Sequence, residues 1–94
     1  MANVVCDDWR TMDLVALITA EARAGRTILL TAREADGSVE TREIEPYSLR
    51  PGPQGPRLFY WCLKKQGTRN TYVSNIVAAQ PTGNSFLPRW PMEL

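Results

Sequence analysis

The stretch RTILLTAREADGSVETREIEP, residues 26–46, decides the fold. Arg26 to Arg33 is β-branched and apolar through its middle, Thr27-Ile28-Leu29-Leu30-Thr31, which is the composition of a strand. Asp36-Gly37 follows. An Asp-Gly pair is a strong hairpin signal and predicts a type I′ turn, whose two central residues both take positive φ. Ser38 to Ile44 alternates in polarity and reads as the returning antiparallel strand. Pro46 is expected to stop it, because proline has no N–H to give to a sheet ladder.

Toward the N-terminus, Leu14, Leu17, Ile18 and Ala22 recur at i, i+3, i+4 and i+8, with Val15 beside them. That spacing predicts an amphipathic helix over Asp13 to Ala24, its polar face carrying Glu21 and Arg23. Thr11 or Asp13 suits the N-cap, and Gly25 falls where a left-handed residue ends a helix. Residues 1–12 read as a short arm, with Trp9 as its anchor.

Toward the C-terminus, Pro51-Gly52-Pro53-Gln54-Gly55-Pro56 reads as a stiff connection without regular structure. Leu58 to Leu63 is apolar on both faces, as a central strand requires. A polar turn around Gly67 leads to a strand over Arg69 to Asn75. Ile76 to Ala79 extends it or starts a short element, and Pro81-Thr82-Gly83-Asn84 reads as another turn. The tail Ser85 to Leu94 carries Phe86, Trp90, Met92 and Leu94, too apolar to dangle, and should pack on the body or on a partner chain. Residues 1–94 therefore form one α+β domain: an arm (1–12), a helix with its strands (13–79) and an apolar tail (80–94). One helix over four or five short antiparallel strands implies a strongly bent sheet, expected to close into a small barrel.

Composition narrows the function. At 94 residues, 44% apolar and 22% charged, the chain suits a single soluble globular core. Its longest apolar runs, Leu14 to Ile18 and Leu58 to Leu63, fall far short of the ~20 residues that span a bilayer. No secretory signal is visible, so the cytoplasm is the expected compartment. There is no histidine, the commonest general base and metal ligand. Cys6 and Cys62 have no CxxC partner and read as free thiols, so no zinc or redox motif exists. No glycine-rich phosphate loop occurs. Glu40, Glu43 and Glu45 look like outward strand positions rather than an acid/base pair. The expectation is a protein without metal or cofactor, and not an enzyme.

The net charge of +1 hides an asymmetry. Up to Pro46, nine acids face five arginines, giving −4; from Tyr47 onward six basic residues face only Glu93, giving +5. Nine of the eleven basic residues are arginine, whose planar fork suits phosphate or carboxylate. An anionic partner is the natural inference. Lys64 and Lys65 read as a solvated turn that attracts anions at long range.

The order of these motifs resembles the WYL domain family over roughly residues 13–90. The resemblance rests on the helix Asp13 to Ala24, the hairpin Ile28 to Ile44, and the phrase Thr41-Arg42-Glu43-Ile44-Glu45-Pro46, which looks like the family's return strand. The strand Leu58 to Cys62 leads, seven residues on, to Arg69, at the spacing of the family's R-x-F strand. Ile76, Thr82-Gly83 and Phe86 resemble the closing part. There are departures. The eponymous Trp-Tyr-Leu falls on Pro56-Arg57-Leu58, the aromatic two after Arg69 is Thr71 with Tyr72 one place later, and the second arginine is Asn75.

The resemblance implies an Sm-like or SH3-like β-barrel with a basic ligand pocket. Such a domain senses a nucleotide or single-stranded nucleic acid in transcriptional regulation or anti-phage defence. Family members usually carry a helix-turn-helix. Only twelve residues precede this helix, so the expectation is a stand-alone domain, its partner a second copy or a helix-turn-helix on a separate chain. Arg69 is the first site candidate, since it alone matches the family's paired arginines; a salt bridge to a strand glutamate is its other use. Arg42 either faces the same pocket or pairs with Glu40 or Glu43. Arg57 stands where the family has an aromatic, at the mouth of the Pro-Gly loop. Tyr60 and Tyr72 supply a stacking face or hydroxyl for a base, or simply pack in the sheet. The competing reading is a protein–protein assembly module that uses the apolar tail.

Overall fold

The computed structural model describes the backbone of residues 2–94 and the side chains of residues 12–94. Helix α1 spans Ala2–Arg23 and is followed by five strands: β1 Arg26–Arg33, β2 Val39–Gly52, β3 Gly55–Cys62, β4 Gly67–Tyr72 and β5 Ile76–Ser85. A single 3-10 turn, Val73–Asn75, separates the last two. The sheet is antiparallel throughout, in the order β4-β3-β2-β1-β5, and it does not close. The α+β class is as expected; the closed barrel is not, because β4 and β5 stay at opposite edges.

The helix is longer than its apolar period suggests, so Thr11 and Asp13 lie inside it rather than at its start, and the arm is helical. The roles expected of the Trp9 and Cys6 side chains lie outside the described residues. Gly25 ends the helix as expected: at φ 71° its N–H donates to the Ala22 carbonyl at 3.0 Å. Ile18 and Ala22 are buried, with Leu14 and Val15 packed beside them. Glu21 is not on an open polar face. It is 8% exposed, and Arg26 beyond the helix end covers it with two hydrogen bonds, of 2.9 and 3.2 Å.

The β1–β2 hairpin forms where Asp36-Gly37 places it, but the turn differs from type I′. Gly37 N–H donates to the Glu34 carbonyl at 3.0 Å, closing a turn on Ala35-Asp36, and only Gly37 takes a positive φ, of 91°. A turn followed by one left-handed glycine is the longer-loop solution to the same twist requirement. Asp36 Oδ1 holds it by accepting from the Ser38 N–H at 2.9 Å and hydroxyl at 2.7 Å.

Proline fails to break the sheet at three places. Pro46 lies within β2, opposite Tyr60, and the register slips between Pro46 and Ser48. A bulge of this kind tolerates the missing donor. The segment 51–56 is a hairpin rather than a connection: Gly52 faces Gly55 and Pro51 faces Pro56. In a two-residue hairpin the pair flanking the turn exchanges the hydrogen bonds and the next pair does not, so the facing prolines lose nothing. Likewise 81–84 is not a turn but the end of β5, an edge strand where Pro81 faces Ile28.

The sheet is covered on both faces over its middle. Ile28, Leu30, Ile44, Leu58, Tyr60 and Cys62 form the core beneath Ile18 of the helix. The residues between them, Glu45 and Trp61, point the other way, and there the tail crosses. Trp90 stacks on Tyr47 at 4.1 Å, Phe86 meets the same ring edge-on at 5.9 Å, and Trp90 meets Trp61 at 6.3 Å. Arg89 binds Glu45 at 3.0 Å and lies 4.3 Å above the Trp61 ring. The tail thus packs on its own body. Double coverage explains why Ile44 to Ser48 is buried residue after residue.

Candidate functional site

An open cleft of about 370 Å³ lies between the end of β1 and the β3–β4 side of the sheet. Arg33, Glu34 and Ala35 supply one side from the end of β1 and its turn; Gln54 enters from the β2–β3 tip. Tyr60 of β3, the β4 residues Arg69 to Tyr72, and Asn75 complete it.

Arg69 faces Tyr60 across the β3–β4 ladder. Half-buried, Arg69 makes no hydrogen bond or ion pair with any described residue. Arg33, exposed at the end of β1, is likewise without one. The other arginines of the sheet and tail are engaged: Arg26 by Glu21, Arg42 by Glu40, Arg50 by Glu93, Arg89 by Glu45, and Arg57 by Asn70. Two guanidinium groups without a partner among the described residues therefore line one cleft. Tyr60 is 5% exposed, and burial pushes its phenol above the ordinary tyrosine value while the nearby Arg69 and Arg42 pull it back. It stays a neutral O–H donor at physiological pH.

The five residues singled out in the sequence divide. Arg69, Tyr60 and Tyr72 line the cleft together. Arg42 does not line it. Its side chain is only 8% exposed, and its guanidinium lies 2.6 Å from Glu40 and 3.8 Å from Glu34. The pairing alternative describes its contacts, while its charge still reaches Tyr60. Arg57 also lies outside the lining. Its guanidinium sits between Phe59 and Tyr72, and its Nη2 donates to Asn70 Oδ1 at 2.9 Å. Arg33 and Asn70 join the site without a sequence signal of their own; only the curvature of the sheet brings Arg33 to β4.

A second groove of about 290 Å³ lies on the tail side, lined by Ser48, Arg50, Phe59, Thr68, Trp90 and Glu93. Its one arginine is neutralised by Glu93 at 3.0 Å, so it offers an anion nothing. Cys62 is fully buried with a free thiol, as expected. Among the described residues no group of three acids or cysteines could hold a metal, and no helix is long and apolar enough to cross a membrane.

No protein-family model matches the sequence, and no curated protein does. Among solved structures, the proteasome accessory factor B/C (PafBC) of Arthrobacter aurescens is similar, with a TM-score of 0.75 at 21% identity. The likeness covers 87% of this chain but only 14% of that one. At that identity it shows the fold alone. A one-helix, five-stranded antiparallel domain is consistent with the WYL-like fold that the sequence resembles.

Proposed function

We propose that this chain is a non-enzymatic regulatory domain that binds a phosphate-bearing ligand, a nucleotide or single-stranded nucleic acid, in the cleft of Arg69. The observation that carries the reading is an arginine with no partner among the described residues, beside a protonated phenol, in an open cleft lined by a second such arginine. Glu34, the acid of the cleft, lies 3.8 Å from Arg42 and pairs with neither Arg33 nor Arg69, and a bound anion supplies the partner that both lack. Charge-assisted hydrogen bonds from guanidinium to phosphate are about twice as strong as neutral ones. Tyr60 adds a donor and Tyr72 an aromatic surface for a base, where stacking is worth roughly 1–3 kcal/mol. The absence of histidine from the sequence supports binding rather than catalysis. The resemblance to WYL domains supplies the setting, transcriptional regulation or anti-phage defence.

The test is fluorescence polarisation with a labelled oligo-dT probe at several salt concentrations. The wild type should bind with an affinity that falls as salt rises. Arg69→Ala should weaken it about tenfold or more, the loss of one charge-assisted contact. It should also lower the log–log salt slope by about 0.7, one phosphate's share of counterion release on a single strand. Arg33→Ala should do the same to a smaller degree. Identical, salt-independent signals from all three proteins would overturn the reading.

A further inference from the structure

We infer that Arg57 is a positioning residue: it sets the wall of the cleft without touching the ligand. This rests on the anion-binding reading above and concerns how the β4 side of that site is held. The Arg57 guanidinium lies 5.6 Å from the centre of the Phe59 ring and 5.3 Å from that of Tyr72. It donates from Nη2 to Asn70 Oδ1 at 2.9 Å. Tyr72 and Asn70 line the cleft; Arg57 does not. One planar cation thus fixes two cleft residues at once, by stacking on a ring and by a hydrogen bond to an amide. A guanidinium does both at once because it is flat and forked; an ammonium, a compact point charge, cannot lie flat on a ring and reach the amide from the same pose.

The seat is built for it by Gly52. A Cβ at that position would lie 2.7 Å from Arg57 Cδ, 3.1 Å from its Cγ and 3.1 Å from Tyr72 Cε1. Only glycine lets the arginine stem and the tyrosine ring close over the hairpin. Gly52 and Gly55 flank the β2–β3 turn, and Gln54 at its tip reaches the same cleft. The hairpin and the β4 wall are therefore joined through Arg57. A wall held in place before binding loses less side-chain freedom when the ligand arrives.

A residue that positions and a residue that contacts phosphate differ in their salt dependence. Both weaken binding when removed, but only the second releases counterions. With the same oligo-dT probe, Arg57→Ala should weaken binding about fivefold, within the range set by freeing one or two side chains, and leave the salt slope unchanged. Gly52→Ala, which keeps the arginine but displaces it, should do the same. Arg57→Lys, which keeps the charge, should bind as weakly as Arg57→Ala. Thermal melts identify any variant that has lost its fold, and Arg57→Lys is the mildest of the three. A salt slope lowered by about 0.7 in Arg57→Ala, wild-type affinity in Arg57→Lys, or unchanged affinity in Arg57→Ala and Gly52→Ala would overturn the proposal. In each of those cases a normal loss in Arg69→Ala keeps the anion site itself standing. Failure of Arg69→Ala to alter binding removes the anion site, and this inference with it.

Discussion

Glu43 shows what a single side chain does for this sheet. It is half-buried, and no cation among the described residues pairs with it. Its Oε2 accepts from the Thr27 hydroxyl at 2.6 Å and from Asn84 Nδ2 at 3.0 Å. Those hydrogen bonds, that of Thr27 first, hold its carboxyl below the ordinary glutamate value. A carboxyl whose folded pKa is depressed stabilises the fold fully above its unfolded value, about 4.3. The contribution fades as the pH falls below that value and through the lower folded one. Acid titration of stability should therefore show wild type losing more than Glu43→Gln as the pH drops from about 5 toward 3. Equal losses would show that Glu43 titrates alike in both states. The sequence placed Glu40, Glu43 and Glu45 outward on a strand; Glu40 is exposed, but Glu43 is half-buried and Glu45 lies buried beneath the tail, and the partners of Glu43 come from β1 and β5. No reading of residues 39 to 45 alone would supply Thr27 and Asn84.

At the scale of elements, the tail behaves as one more layer of the domain. Its anchor is Arg89, whose side chain is 41% exposed while its partner carboxylate on Glu45 is only 4% exposed. The Tyr47 hydroxyl donates to the same carboxylate at 2.9 Å and accepts the Arg89 backbone N–H, also at 2.9 Å. Removing the arginine leaves a buried carboxylate with one neutral donor. Arg89→Ala should lower stability by about 2 kcal/mol, the cost of a hydrogen bond to a charged group lost from a largely buried site. Denaturant melts measure it, and a change under about 0.5 kcal/mol, typical of a surface substitution, would mean that the tail docks through its aromatic rings alone. Much of this level was legible. The period of Leu14, Leu17, Ile18 and Ala22, the Asp36-Gly37 turn and the apolar run from Leu58 each fell on a real element. Several of the misreadings inside the sheet involve proline. Pro46, Pro51, Pro56 and Pro81 read as breaks, yet each sits in a strand where its missing N–H is harmless, at a bulge, in a facing pair or on an edge. Whether a given N–H is needed depends on the partner strand, which local sequence does not name.

Over the whole molecule, β1 is held between β2, its neighbour in sequence, and β5, which pairs Ala79 with Leu30 from the far end of the chain. Closing that long loop precedes its reward, so folding should be slow for so small a domain, in milliseconds to seconds. Stopped-flow refolding followed by tryptophan fluorescence checks this; a microsecond phase carrying the full amplitude would contradict it. The cleft belongs to this scale as well. Arg69 and Tyr60 were readable because they lie on neighbouring strands, whereas Arg33 arrives only through the curvature of the whole sheet. The crossing of the tail has one more consequence, and it is optical. Seating the tail brings the indoles of Trp61 and Trp90 to 6.3 Å at an interplanar angle of 70°, with the Tyr47 phenol stacked on the second. Transition dipoles held that close and that far from parallel mix, and they give a paired circular-dichroism signal in the ultraviolet that vanishes when the rings separate. The protein carries its own spectroscopic gauge of whether its last residues are in place.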